Sequence, residues 1–240
     1  MNLKKIINYF KSGNVCVTGL RGTGKDLLMS NVIVRRDKPY ISNIDYTNGV
    51  NYQKLNFDLL NNGKNNYTNF INDTINYYEF PYISGSDIYI SDVGVYFPSQ
   101  YCNELNKKYN YFALYQALTR QVSHNNLHIN VQNLNRAWDK IREQSDIYIR
   151  CNKCFVIFGW VFQHVTLYDK YESCVSRIKT CRVTIPLFAD KLTKQNAQIY
   201  IDNFINTHGM VKNLILIYKN KSSYDTYYFE KLLKGGCTYD

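Results

Sequence analysis

The amino-acid sequence predicts an α/β fold: a central, mostly parallel sheet flanked by helices, with an antiparallel extension. Three observations lead there. A β-prone run, Val15 to Thr18, passes through a glycine-rich segment straight into a helical pattern in which Leu28 and Val32 stand one turn apart. Short apolar runs at 39–44, 87–91 and 127–131 recur with polar or helical stretches between them, the rhythm of βαβ units. Residues 151–185 then change character, with strand-like runs at 155–160, 161–168 and 175–185 and no long helix between them. A chain of 240 residues accommodates this as a single domain spanning 1–240.

The first element sets the chemistry. Gly19, Leu20, Arg21, Gly22, Thr23, Gly24 and Lys25 fit G-x-x-x-x-G-K, and strand, glycine loop and helix follow one another as a phosphate-binding loop requires. The glycines let the backbone bend and turn its N–H groups toward one point, and a helix starting at Lys25 adds the positive end of its dipole. Lys25 brings a full charge to β and γ phosphates. One position departs from the usual pattern: Asp26 stands where a Ser or Thr hydroxyl normally meets Mg²⁺. A carboxylate can ligate Mg²⁺ but also repels phosphate. Residues 19–26 are therefore the candidate nucleotide-binding set, which points to a P-loop domain with ATP and Mg²⁺ as cofactors.

In chain order, residues 1–13 read as a basic amphipathic lead-in. A strand is expected at 39–44 after the Asp37-Lys38-Pro39 turn. Residues 45–82 are polar and Asn-rich, with turns at Asn48-Gly49 and Asn62-Gly63, a place for an insertion with a helix at 67–78. The strand at 87–91 ends in Asp92, the shape of a Walker B motif, whose acid holds Mg²⁺ directly or through water. Val93 follows, where many ATPases carry a Glu that polarises water. A helix is predicted over 109–123 from Phe112, Tyr115, Leu118 and Val122, then a strand at 127–131 ending in Gln132, a short charged helix at 135–144 and a strand at 146–150. Past the extension come a helix at 192–206, a strand at 214–218 and a tyrosine-rich tail at 224–234.

Ligands of open parallel sheets sit beyond the carboxyl ends of the strands. The glycine loop, Asp92 and Gln132 fall at three such ends. The catalytic set is then Lys25, Asp92 and Gln132, with Asp92 and Asp26 as candidate metal ligands and Gln132 placed to sense the γ-phosphate or orient a water. Arg120, Arg136 and Arg142 are candidates for an arginine contributed to a neighbouring subunit's γ-phosphate. Cys151-x-x-Cys154 with Cys174 and Cys181 permits a zinc reading, against which stand buried reduced thiols. His124, His128, His164 and His208 show no ligand or triad spacing.

Net charge is +10, which points to a polyanionic partner, nucleic acid or an anionic membrane surface. The seven cysteines, an odd number without a signal peptide, fit a reducing compartment. The longest apolar run, 154–162, is about half a membrane crossing and reads as a buried strand.

With the glycine loop, Ile41-Ser42-Asn43-Ile44, the stretch 88–100 ending in Phe97-Pro98-Ser99-Gln100, the strand running to Gln132, Asp139-Lys140-Ile141-Arg142 and residues 216–226, the chain resembles the zonula occludens toxin-like assembly ATPases of filamentous phages, within the wider group of DNA-pumping P-loop ATPases. The resemblance runs from about residue 14 to about residue 228 and implies ATP-driven extrusion or packaging of a phage genome. It also implies a homo-oligomeric ring, single-stranded phage DNA and other phage assembly proteins as partners. The expected place is the host cytoplasm, peripheral to the inner face of the membrane, with any membrane association supplied by a partner. Asp26 and Val93 depart from the family pattern and favour an alternative, a nucleotide-binding scaffold or DNA-docking part that does not hydrolyse. A nucleotide kinase is a weaker reading, since neither an arginine-rich lid nor a Ser/Thr after Lys25 is visible.

Overall fold

Central strands of a parallel sheet need cover on both faces, and this chain supplies it. The computed structural model describes residues 3–55, 86–109, 126–186 and 188–222. Its sheet has eight strands in the order β3-β2-β4-β5-β1-β6-β7-β8: β1 (Val15–Thr18), β2 (Tyr40–Ser42), β3 (Tyr52–Lys54), β4 (Asp87–Ile90), β5 (Leu127–Val131), β6 (Ile147–Ile157), β7 (Trp160–Tyr168) and β8 (Val211–Lys219). The first six in that order are parallel neighbours. The long hairpin β6–β7 and the return strand β8 are antiparallel. The expected fold class is therefore present.

Every residue of β1, β4 and β5 is buried, as parallel strands covered on both faces should be. On one face lie α1 (Leu3–Ser12) and α2 (Lys25–Arg36), with Leu3, Ile6 and Phe10 packed beside Leu28, Met29 and Val32 over Val15 and Val17. The lead-in helix thus covers the back of the phosphate-loop helix. On the other face Cys16, Ile90 and Ile129 pack under Phe97, Trp138 and Ile141. That layer is built from α3 (Val93–Tyr96), a helical stretch at 102–109, a 3-10 turn at Leu134–Arg136, α4 (Asp139–Arg142), α5 (Tyr171–Val175) and the long α6 (Lys191–His208).

Three local expectations are corrected. Residues 175–185 are not a strand: α5 ends at Val175 and the chain runs to residue 186 without regular structure. The place beside β7 is taken by β8 along nine paired positions, and the segment does not pair with β8 in turn. The run 155–160 is not one strand but the tip of the β6–β7 hairpin, turning at Phe158 and Gly159, both at positive φ (49° and 75°) as a two-residue hairpin turn needs. The helix expected over 135–144 is broken into the 3-10 turn and α4 by Ala137 and Trp138, which are extended and buried. The expected helix at 67–78, the one at 109–123 beyond Tyr109, Arg120, His124 and the tyrosine-rich tail lie outside the described residues.

Candidate nucleotide site

β1 delivers the chain to its carboxyl end at Thr18, and the loop turns there. Thr23 closes the bend, its N–H and hydroxyl both donating to the Leu20 carbonyl (3.2 and 2.7 Å). Gly24, at φ 81°, is the last residue before α2, and its carbonyl accepts from Leu28 N–H at 2.9 Å. Two glycines are required by what lies beneath. A Cβ on Gly19 would meet the Cys151 carbonyl oxygen at 2.6 Å, and one on Gly24 would meet the Cys154 side chain at 2.6 Å. Leu20 and Arg21 form the exposed crest.

The floor of the loop comes from the antiparallel extension, and sequence reasoning did not see it. Gln163 on β7, only 1% exposed, donates from Nε2 to the carbonyls of Thr23 (3.1 Å) and Gly24 (2.9 Å). Tyr218 on β8 donates to Gln163 Oε1 at 3.0 Å and fixes the amide.

Lys25 begins α2, nearly buried, with Nζ 3.4 Å from Asp26 Oδ2 and 3.8 Å from Asp92 Oδ1. Asp26 is not idle. Its Oδ1 accepts from Ser91 Oγ (3.1 Å) and from Asn130 Nδ2 (2.5 Å). Asn130 also donates to Ser91 Oγ (3.0 Å) and accepts the Asp92 N–H (2.7 Å). Asn43, from the Ile41–Ile44 motif, brackets Ser91 by donating to its carbonyl (3.0 Å) and accepting its N–H (2.8 Å). The ends of β2, β4 and β5 are thus tied to the first turn of α2. β5 lies between β1 and β4, which lets Asn130 reach both Asp26 and the Asp92 N–H.

Asp92 stands at φ 49°, the cap before α3. Burial pushes its carboxyl above the ordinary value; Lys25 opposes and Asp26 adds to the rise. Asp92 Oδ1 is buried and, among the described residues, accepts no hydrogen bond within ordinary distance, the Lys25 ammonium standing 3.8 Å away. An acceptor left in that state, beside a second carboxylate, fits a divalent cation.

The predicted residues do not all converge equally. Lys25, Asp26 and Asp92 do. Gln132 is exposed just past β5 and shares a shallow hollow with Asp92 and Arg136. Arg142 is spent within its own layer, donating to the Leu134 and Ala137 carbonyls (3.3 and 3.1 Å). Val93 is fully buried. Phe97 to Gln100 is a packing device: Phe97 stacks on Trp138 with centroids 6.3 Å apart and accepts its N–H, and Ser99 Oγ donates to the Asn135 carbonyl.

The cysteines do not assemble. Cys151 sits in the core on the α2 side and Cys174 in the opposite one. Burial pushes both thiols up, Cys174 to about 12, which keeps them protonated. Among the described residues no group of three or more His, Cys, Asp or Glu side chains is placed to hold a metal ion.

No protein-family model matches the chain, and no curated protein matches it. Solved structures do. The N-terminal domain of zonular occludens toxin from Neisseria meningitidis aligns with 76% of this chain and 97% of its own, at 12% identity and a TM-score of 0.39. The genome packaging NTPase B204 of Sulfolobus turreted icosahedral virus 2, in complex with ATP-gammaS, aligns with 74% and 99%, at 12% identity and a TM-score of 0.42. EssC (ATPases 2 and 3) from Geobacillus thermodenitrificans aligns with 92% of this chain but 42% of its own, at 12% identity and a TM-score of 0.39.

Proposed function

We propose that this protein binds a nucleoside triphosphate, ATP, in the loop 19–26 and acts as a virion-assembly ATPase that moves viral DNA. The observation that carries the nucleotide reading is the placement of Lys25 Nζ at the mouth of a glycine loop, between the carboxylates of Asp26 and Asp92. The loop and the first turn of α2 offer backbone N–H groups to phosphate oxygens, and Lys25 moves from its carboxylates to the β and γ phosphates. Asp92 is the residue to hold Mg²⁺, with Asp26 behind it. An ion held there would neutralise charge on the phosphates. Gln132, exposed beside Asp92, is positioned to orient an attacking water. The DNA-moving part rests on the resemblance and on the +10 charge.

A second reading, a nucleotide-gated scaffold without turnover, is favoured by Val93: the position after Asp92 is buried and carries no group able to take a proton. One pair of measurements decides. Calorimetry with ATP and Mg²⁺ should show one site per chain, and Lys25→Ala should weaken it by about a hundredfold or more, the loss of a charge-assisted contact to phosphate. Turnover stimulated by single-stranded DNA supports the motor, whereas tight binding without turnover supports the scaffold. Unaltered binding in Lys25→Ala removes both.

A further inference from the structure

The antiparallel extension does more than floor the loop. Cys154 lies directly beneath Gly24, so residues 155–160 run on past the phosphate loop and end free of the body. Register fixes which side chains share a face. Phe155 pairs with Phe162, Ile157 with Trp160 and His164 with Ile215, while Phe162 continues to Ile217. The opposite face carries Val161, Gln163, Leu216 and Tyr218, all buried toward α2. The outward face is exposed: Phe155 is 55% exposed, Ile157 49%, Trp160 47% and Ile217 47%, and Phe158 at the turn is 98% exposed. Contiguous apolar surface of this kind marks a docking site.

Charge names the occupant. Residues 147–168 and 211–222 contain no Asp or Glu, while Lys153 and Lys219 share the outward face and Lys221 follows it. An apolar tip carrying Trp, rimmed by one sign of charge, matches an anionic lipid surface. Single-stranded nucleic acid also answers to lysines and stacks on exposed rings such as Phe158 and Trp160, but Ile157 and Ile217 beside them extend the face as aliphatic surface, which acyl chains match and bases do not. The turn is prepared for a place poor in water, because the Gly159 carbonyl already accepts the Asn220 N–H at 2.7 Å. From Phe155 to the turn the arm is about 10 Å long, enough to reach the acyl boundary and too short to cross it.

We propose that the β6–β7 hairpin is a membrane-surface anchor, seating Phe158, Trp160 and Ile157 among the lipids of an anionic bilayer while Lys153 and Lys219 meet the headgroups. This stands independently of the nucleotide reading. The test is flotation of the full chain with vesicles of phosphatidylglycerol and phosphatidylcholine in equal parts, against vesicles of phosphatidylcholine alone. The chain should float with the first, release as salt is raised, and show a blue shift in tryptophan emission from Trp160, since Trp138 is already fully buried. Phe158→Asp should cut partitioning by about tenfold or more, as expected for withdrawing one aromatic side chain from an apolar phase. Its thermal midpoint should stay unchanged, because Phe158 touches little of the fold. Absence of flotation overturns the proposal, as does flotation of Phe158→Asp equal to that of the parent. So does a Phe158→Asp variant that keeps lipid binding and loses binding to an oligo-dT strand, which would assign the tip to nucleic acid.

Discussion

At the residue scale, Asp26 shows how one substitution in a familiar pattern is absorbed. A hydroxyl there would serve the cation; the carboxylate instead takes hydrogen bonds from Ser91 and Asn130 and faces Lys25. Two effects of opposite direction follow for Asp26→Ser. The shorter side chain leaves Asn130 and Ser91 without their shared acceptor, costing about 1–3 kcal/mol of stability. Removing a negative charge beside the phosphates should tighten ATP. Chemical denaturation and calorimetry on the same variant check both, and weaker ATP binding together with unchanged stability would contradict the arrangement. Lys25 and Asp92 were legible in the sequence because each is fixed by spacing to its own strand. Asn130 and Gln163 were not, because nothing in the residues between says that β5 is laid between β1 and β4, or that β7 passes under the glycines.

At the scale of elements, the phosphate loop and the extension form one unit. Gln163 satisfies two loop carbonyls and is itself held by Tyr218. Gln163→Leu keeps the volume but leaves the Tyr218 hydroxyl and the Thr23 carbonyl without this partner and takes one of two donors from the Gly24 carbonyl, so a loss of about 2–4 kcal/mol and weaker nucleotide binding are expected. Denaturant titration and calorimetry measure these, and a variant as stable as the parent would show that the loop does not depend on its floor. The helix α6, expected at 192–206, runs over Lys191–His208 and is capped by Asp190, whose side chain accepts Thr193 N–H at 2.7 Å. The segment 175–185 misled because β-branched residues alternating with Arg and Lys mimic a half-buried strand. A strand also needs a partner in register, which is a property of the assembled sheet.

Across the whole molecule, the end of the sheet opposite the phosphate loop is held by charge. Asp87 opens β4 and pairs with Arg36 at the end of α2, with Lys38 at 3.5 Å and His128 Nε2 at 3.7 Å. Burial pushes His128 below its ordinary value of 6.5, against the pull of Asp87. The unfolded chain takes that proton more readily, so stability is full above about pH 6.5 and falls as pH drops through it toward the folded value. Asp87 acts in the same direction lower down. Burial raises it, but His128, Arg36 and Lys38 together hold it below its ordinary value of 3.8, so its contribution is lost as pH falls through the folded value. Thermal midpoints should therefore decline between about pH 7 and pH 5, and His128→Phe should flatten that part of the curve. An unchanged slope in the variant would assign the decline to other groups.

A single amide links the loop of the proposed nucleotide site to the arm of the proposed anchor. Because Gln163 lies on the arm that carries the bare hairpin tip, a load applied to that tip reaches the phosphate grip through one strand, without passing through a hinge. A chain tethered by its hairpin would sense tension where it holds its fuel.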